Sequence, residues 1–249
     1  MRILILLTGL ALLPLPALAG APYRVDDAKP TEYQAWEVDV FSSGTFVRGG
    51  AGAGVLPGLE VDYGAFAGVQ IHMSMPLGYS KGAGRGTGFG YGDTELGLKI
   101  RLIDPAPEDW WPAIAFEPLV EVPTGNQRLG LSSGHAQVFL PLWMSRNFGE
   151  HLSVAAGGGH WTNPGVGNKD WWFAGTAVQY EVTEGVSLGT ELFYQTASAT
   201  GGKDSVGFNV GAVIKLTDLI NLTASAGRGL SNAQATNAFS YYTGLQFNF

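Results

Sequence analysis

From Gln34 onward, apolar and polar side chains alternate with a period of two. The clearest run is Asp93-Thr-Glu-Leu-Gly-Leu-Lys-Ile-Arg101, with Thr94, Leu96, Leu98 and Ile100 on one face and Asp93, Glu95, Lys99 and Arg101 on the other. Successive strand side chains point to opposite faces, so the run predicts a strand with one aliphatic and one charged face. Trp36, Val38 and Val40 alternate in the same way with Glu37 and Asp39. Leu59, Val61 and Tyr63 alternate with Glu60 and Asp62, and Val69, Ile71 and Met73 with Gln70 and His72. Helical stripes are absent after the first 20 residues. The pattern divides into twelve strands, near residues 34–48, 53–64, 67–77, 90–103, 111–123, 134–147, 151–162, 170–182, 185–197, 204–217, 219–229 and 239–249. Most are 10 to 14 residues long. A tilted strand needs about 9–11 residues to cross a bilayer, whereas strands of soluble sheets average about 5–6.

The connections add an independent signal. Short ones (63–68, 104–110, 147–151, 182–185, 217–219) alternate with longer, glycine-rich ones (78–89, 124–133, 163–169, 198–203, 230–238). Short turns on one side, long loops on the other and an even strand count describe an outer-membrane barrel with both ends inside. Aromatic residues fall near both expected rims: Trp110, Trp111, Phe148, Phe247 and Phe249 at one, Trp161, Trp171, Trp172, Phe239 and Tyr241 at the other. The expected fold is all-β, a transmembrane antiparallel up-and-down barrel of about twelve strands. The last strand closes on Gly244, Phe247 and Phe249, the spacing of the terminal signal that the barrel assembly machinery reads.

Composition agrees. The 249 residues are 45% hydrophobic and only 14% charged, with 37 glycines, no cysteine and a net charge of −7. That balance excludes a disordered chain and a basic nucleic-acid binder, and the missing thiols exclude disulfides and thiolate chemistry. Met1-Arg2, the apolar stretch from Ile3 to Leu15 and Ala17-Leu18-Ala19 form a signal peptide with cleavage expected after Ala19. Residues 20–33, without periodicity, are expected to be a flexible periplasmic leader, and 34–249 the barrel.

The run Gly88-Phe-Gly-Tyr-Gly-Asp-Thr-Glu-Leu-Gly-Leu-Lys-Ile-Arg101, followed by Glu117-Pro-Leu-Val-Glu-Val-Pro-Thr-Gly125, resembles the MetA-pathway of phenol degradation family of outer-membrane transporters. The resemblance spans roughly Trp36 to Phe249. It implies a channel for aromatic or other hydrophobic compounds, and brings no assigned binding residues.

With the aliphatic face toward lipid, the other face lines the lumen. Its expected members are Glu37, Asp39, Glu60, Asp62, Gln70, His72, Asp93, Glu95, Lys99, Arg101, Glu117, Glu121, Glu191 and Lys215. Nine acids against three bases predict an acidic pore that favours cations. Lys99 and Arg101 are expected to offset Glu117 and Glu121. Gly157-Gly158-Gly159 marks a bend or a close packing against the wall. No catalytic set is visible: His72-Met-Ser74 is a weak echo of a phospholipase motif, and no acid pair with a histidine stands out. No spaced ligand pair indicates a metal, and no cofactor is expected. The reading is an outer-membrane channel passing small molecules through a narrow acidic lumen. Its expected partners are outer-membrane lipid and lipopolysaccharide, the assembly machinery, and a small-molecule solute. A structural or adhesin-like barrel acting through its outer loops stays open, and a barrel hydrolase is the weakest alternative.

Overall fold

The computed structural model describes residues 21–81, 87–106 and 108–249. The expected signal peptide lies outside the described residues. The strands are β1 (Trp36–Phe46), β2 (Gly52–Phe66), β3 (Val69–Lys81), β4 (Thr87–Tyr91), β5 (Thr94–Ile103), β6 (Ala113–Phe116), β7 (Leu119–Val122), β8 (Gln137–Phe148), β9 (Leu152–Thr162), β10 (Trp171–Thr183), β11 (Val186–Gln195), β12 (Ser205–Lys215), β13 (Ile220–Ser231) and β14 (Phe239–Asn248). β4 and β5 are two halves of one wall strand, broken at Gly92 and Asp93. β6 and β7 are likewise halves of one, broken at Glu117 and Pro118, where proline offers no N–H to the ladder. The fourteen segments therefore make twelve wall strands, each antiparallel to its neighbours. β14 pairs with β1 from Glu37↔Asn248 to Phe46↔Phe239, which closes the barrel. Trp36 N donates to Phe249 O at 3.1 Å and Phe249 N to Trp36 O at 3.0 Å, so both ends of the wall meet at one rim.

The alternation seen along the chain becomes an inside-out distribution. Val40, Leu96, Leu98, Leu140, Leu142, Leu192 and Val210 are exposed on the outer surface, while Asp39, Asp62, Gln70, His72, Gln179, Glu191 and Asn209 are buried within. A closed sheet leaves no unpaired edge, and an apolar belt around a polar interior is what lipid demands of it. Rings band both ends of the belt. Phe46, Tyr79, Phe239 and Tyr241 stack at the rim of the longer loops, with centroids 6.3–6.4 Å apart. Trp36 and Tyr63 pack at 4.4 Å at the rim of the chain ends, the end that also carries exposed Trp110, Trp111, Phe148 and Phe249.

Three expectations change. Trp161 and Trp171 do not belong to the outer band: they share strand parity with buried Ala155 and Phe173 and point into the bore, leaving Trp172 outside. The glycine-rich stretch expected as a loop over 78–89 is mostly paired, from Gly78↔Gly90 to Lys81↔Thr87, leaving 82–86 outside the described residues. Its inward glycines make room for the loop that follows β7, since a Cβ on Gly78 would lie 3.2 Å from Leu131 Cδ2 and one on Gly88 3.0 Å from Leu129 Cβ. Gly157 gives space to the Trp143 ring, 2.6 Å from where its Cβ would be. Finally, the expected flexible leader is not free. From Pro22 to Glu32 it lies inside the barrel, with Val25 and Ala28 fully buried.

Candidate functional site: an acidic and aromatic bore

Segment 22–32 crosses the bore from wall to wall. Ser225 of β13 donates to Pro22 O at 2.7 Å. Glu191 of β11, 1% exposed, accepts the backbone N–H groups of both Arg24 and Val25 on one oxygen, at 2.9 and 3.0 Å, and Asn209 Nδ2 on the other at 2.6 Å. The Arg24 guanidinium lies 4.8 Å from the Phe173 ring and 4.5 Å from Phe193, and donates to Gln195 at 2.9 Å. Lys99 Nζ reaches Asp26 at 2.5 Å and Glu117 at 3.6 Å. Ser145 accepts from Ala28 N, and Gln70 accepts both the N–H and the hydroxyl of Thr31. Three wall glycines form the seat. A Cβ on Gly175 would lie 2.5 Å from Val25 Cγ2, and Cβ atoms on Gly189 and Gly211 would lie 2.6 and 3.0 Å from Tyr23 Oη. Burial, reinforced by neighbouring Asp26, pushes the Asp27 carboxyl up to about 7, and burial raises the Tyr23 phenol.

Two walls of opposite character enclose this segment. On β1, β2, β5 and β7 the inward face is acidic: Glu37 lies opposite Asp62, Asp39 opposite Glu60, and Glu95 opposite Glu121. His72 is clamped among them, with Nδ1 2.8 Å from Asp62 Oδ1 and Nε2 3.2 Å from Glu95 Oε1. Across the bore, β8 to β11 present rings. Trp161 stacks on Phe139 at 4.7 Å and on Trp171 at 5.4 Å, Trp143 meets Phe139 and Phe173 edge-on, and Phe173 stacks on Phe193. Trp143 Nε1 is satisfied by Glu117 at 2.7 Å, which ties the aromatic wall to the Lys99 ion pair. A continuous cavity of about 1030 Å³ touches Asp218 and Phe249 at the rim of the chain ends, Glu37, Glu60 and Asp62 on β1 and β2, and Trp161 and Trp171 near the other rim.

Asp39, Asp62, Gln70, His72, Lys99, Glu117 and Glu191 are buried along the bore, and Glu37, Glu60, Glu95, Arg101 and Glu121 are half-buried. Besides Glu191, three members play different parts from those expected. Asp93 does not face open lumen: it accepts from Gly125 N at 2.9 Å and Ser133 N at 3.1 Å, pinning the loop after β7. Thr124 bonds Thr94 and the Gly92 carbonyl beside it, so the two motif segments quoted above meet as one structural clamp. Arg101 pairs with Asp104 at 2.9 Å rather than with Glu121, and Lys215 is exposed at the rim, bonded to Asp218 at 2.8 Å. Strand pairing also gathers Glu60, Asp62 and His72, three residues with no shared spacing in the sequence. The aromatic wall escaped the sequence reading because β8 is apolar on both faces: Phe139 and Trp143 inside alternate with Leu140, Leu142 and Met144 outside. A barrel strand without polar alternation is the signal that would have found it.

No family model matches the chain, and no curated protein matches it in sequence. Solved structures do. The COG4313 outer membrane channel from Pseudomonas putida F1 superposes with a TM-score of 0.71 at 17% identity, covering 94% of this chain and 100% of that one. The KdgM porin in complex with disordered oligogalacturonate gives 0.58 at 14% identity over 86% and 99%. The NanC porin gives 0.57 at 11% over 84% and 98%. What they share with this chain is the fold.

Proposed function

We propose that this protein is an outer-membrane channel that passes small molecules through a narrow bore, with a preference for cations and for aromatic or other hydrophobic compounds. The observation that carries the reading is the continuous cavity between an acidic and an aromatic wall. Uncompensated carboxylates in a confined, low-dielectric bore attract cations and repel anions. Aromatic faces attract rings and cations alike. Likeness in fold to channels and porins supports passage, and the resemblance to the MetA-pathway family supports aromatic compounds. On this reading the chain is exported by its signal peptide and inserted through its terminal strand.

Planar-bilayer recordings of the purified barrel test it. Potassium is expected to permeate better than chloride. The fourfold variant Glu37→Gln, Asp39→Asn, Glu60→Gln, Asp62→Asn is expected to bring the reversal potential toward zero. Anion preference in the unaltered protein, or an unchanged reversal potential in the variant, would reject the acidic channel. In liposomes, an aromatic ammonium is expected to enter faster than the matching aromatic carboxylate, and Trp161→Ala with Trp171→Ala is expected to narrow that difference.

A further inference from the structure

Where β1, β2 and β3 meet, the register brings the carboxyl groups of Glu37, Asp39, Glu60 and Asp62 together with His72. One carboxylate oxygen from each of Glu60 and Asp62 and one ring nitrogen of His72 lie within 4.8 Å of one another. Glu60 and Asp62 are two apart on one strand, and His72 stands opposite Asp62 on the next, so the sheet register makes the group. A second observation points to the same place. Asp39 is 2% exposed and directly opposite Glu60, and among the described residues its Oδ1 has no hydrogen-bond partner. A buried carboxylate oxygen without donor or cation is costly, and a dication beside it removes that cost. A third feature concerns the histidine. If Nδ1 turns from Asp62 to a metal, Nε2 keeps its 3.2 Å contact with Glu95, the outer carboxylate that orients metal-bound imidazoles.

We propose that Glu60, Asp62 and His72 form a Zn²⁺ site on the bore wall, with Asp39 as the neighbouring carboxylate that balances its charge. Two carboxylates and one imidazole suit zinc, whereas calcium and magnesium select oxygen alone. Zinc bonds of about 2.0–2.2 Å hold ligand atoms roughly 3.5 Å from one another, so the 2.8 Å contact of His72 Nδ1 with Asp62 opens slightly while wider gaps within the group close. A metal here sits in the solute path, yet its binding does not depend on whether the barrel conducts.

The untagged folded chain in detergent, stripped with a chelator, is titrated with zinc chloride by calorimetry. The expected result is one zinc per chain, bound at least tenfold more weakly after His72→Gln or after Glu60→Gln with Asp62→Asn, and several-fold more weakly after Asp39→Asn. Replacing His135, His151 and His160 together by glutamine is expected to leave the site intact. Zinc-edge X-ray absorption of the unaltered protein is expected to show one imidazole among oxygen ligands, and decides the matter even where a variant fails to fold. Absence of saturable binding, undiminished affinity in folded His72→Gln, loss in the triple-histidine variant, or calcium bound as tightly as zinc would overturn the proposal.

Discussion

Glu191 was expected to be one more wall acid, and instead it anchors the segment inside the bore. Its two oxygens satisfy three N–H donors, two of them main-chain groups of Arg24 and Val25. Glu191→Ala leaves those donors without partners, at about 1–3 kcal/mol for each one that stays buried. The expected outcome is release of the segment with the barrel intact. Gly175→Val tests the same seat by volume, because its first side-chain carbon already falls 2.5 Å from Val25. Both variants are expected to raise single-channel conductance and expose Lys29 to trypsin, and unchanged conductance would mean the segment does not limit passage. Asp27 adds a pH dependence. Its carboxyl is raised to about 7 when docked, so the neutral form favours docking. Docking is then strongest below the ordinary carboxylate range, weakens as pH rises toward 7, and levels off above it. Conductance at pH 8 is expected to exceed that at pH 5, and Asp27→Asn to flatten the difference.

Among the strands, β5 carries both faces of the argument. Leu96 points outward and half-exposed near the middle of the wall strand that β4 and β5 make together. Leu96→Arg there is expected to cost about 2–4 kcal/mol of barrel stability, measured by denaturant unfolding in lipid vesicles. Lys99, on the opposite face, is no mild position either. It is buried between Asp26 and Glu117, and Lys99→Met strands their charges at a cost of about 3–5 kcal/mol. Adding Glu117→Gln and Asp26→Asn to Lys99→Met is expected to recover part of the loss, and no recovery would show that the ion pair is not its source. At the seam, Phe249 gives β14 two hydrogen bonds to Trp36 and an exposed ring at the rim. Deleting it is expected to lower the amount of heat-modifiable barrel in the outer-membrane fraction and to raise periplasmic proteolysis.

The assembled molecule separates two chemistries across one bore. Acids gather on β1, β2, β5 and β7, rings on β8 to β11, and the N-terminal segment spans the space between, held by Lys99 and Gln70 on one side and by Glu191 and the glycine seats on the other. The loop after β7 is clamped by Asp93 and leans inward over Gly78 and Gly88, which narrows the far mouth. The cavity therefore runs beside a docked segment.

Period-two alternation and strand length were enough to determine twelve strands, the closed antiparallel barrel and which face of each strand meets lipid. Those properties depend only on near neighbours along the chain: Leu96 and Lys99 take opposite faces wherever β5 lies. The inward position of Glu37, Glu60, Asp62 and His72 followed by the same parity. Contacts across the bore were beyond it. That Glu191 holds Arg24, that Lys99 binds Asp26 rather than Glu117 alone, and that Trp161 stacks on Phe139 depend on which strands the closed sheet brings face to face. Segment 22–32 has no periodicity of its own because its partners are wall side chains far away in sequence. Only the tertiary structure, by closing the sheet around it, could turn an unpatterned leader into the occupant of the bore.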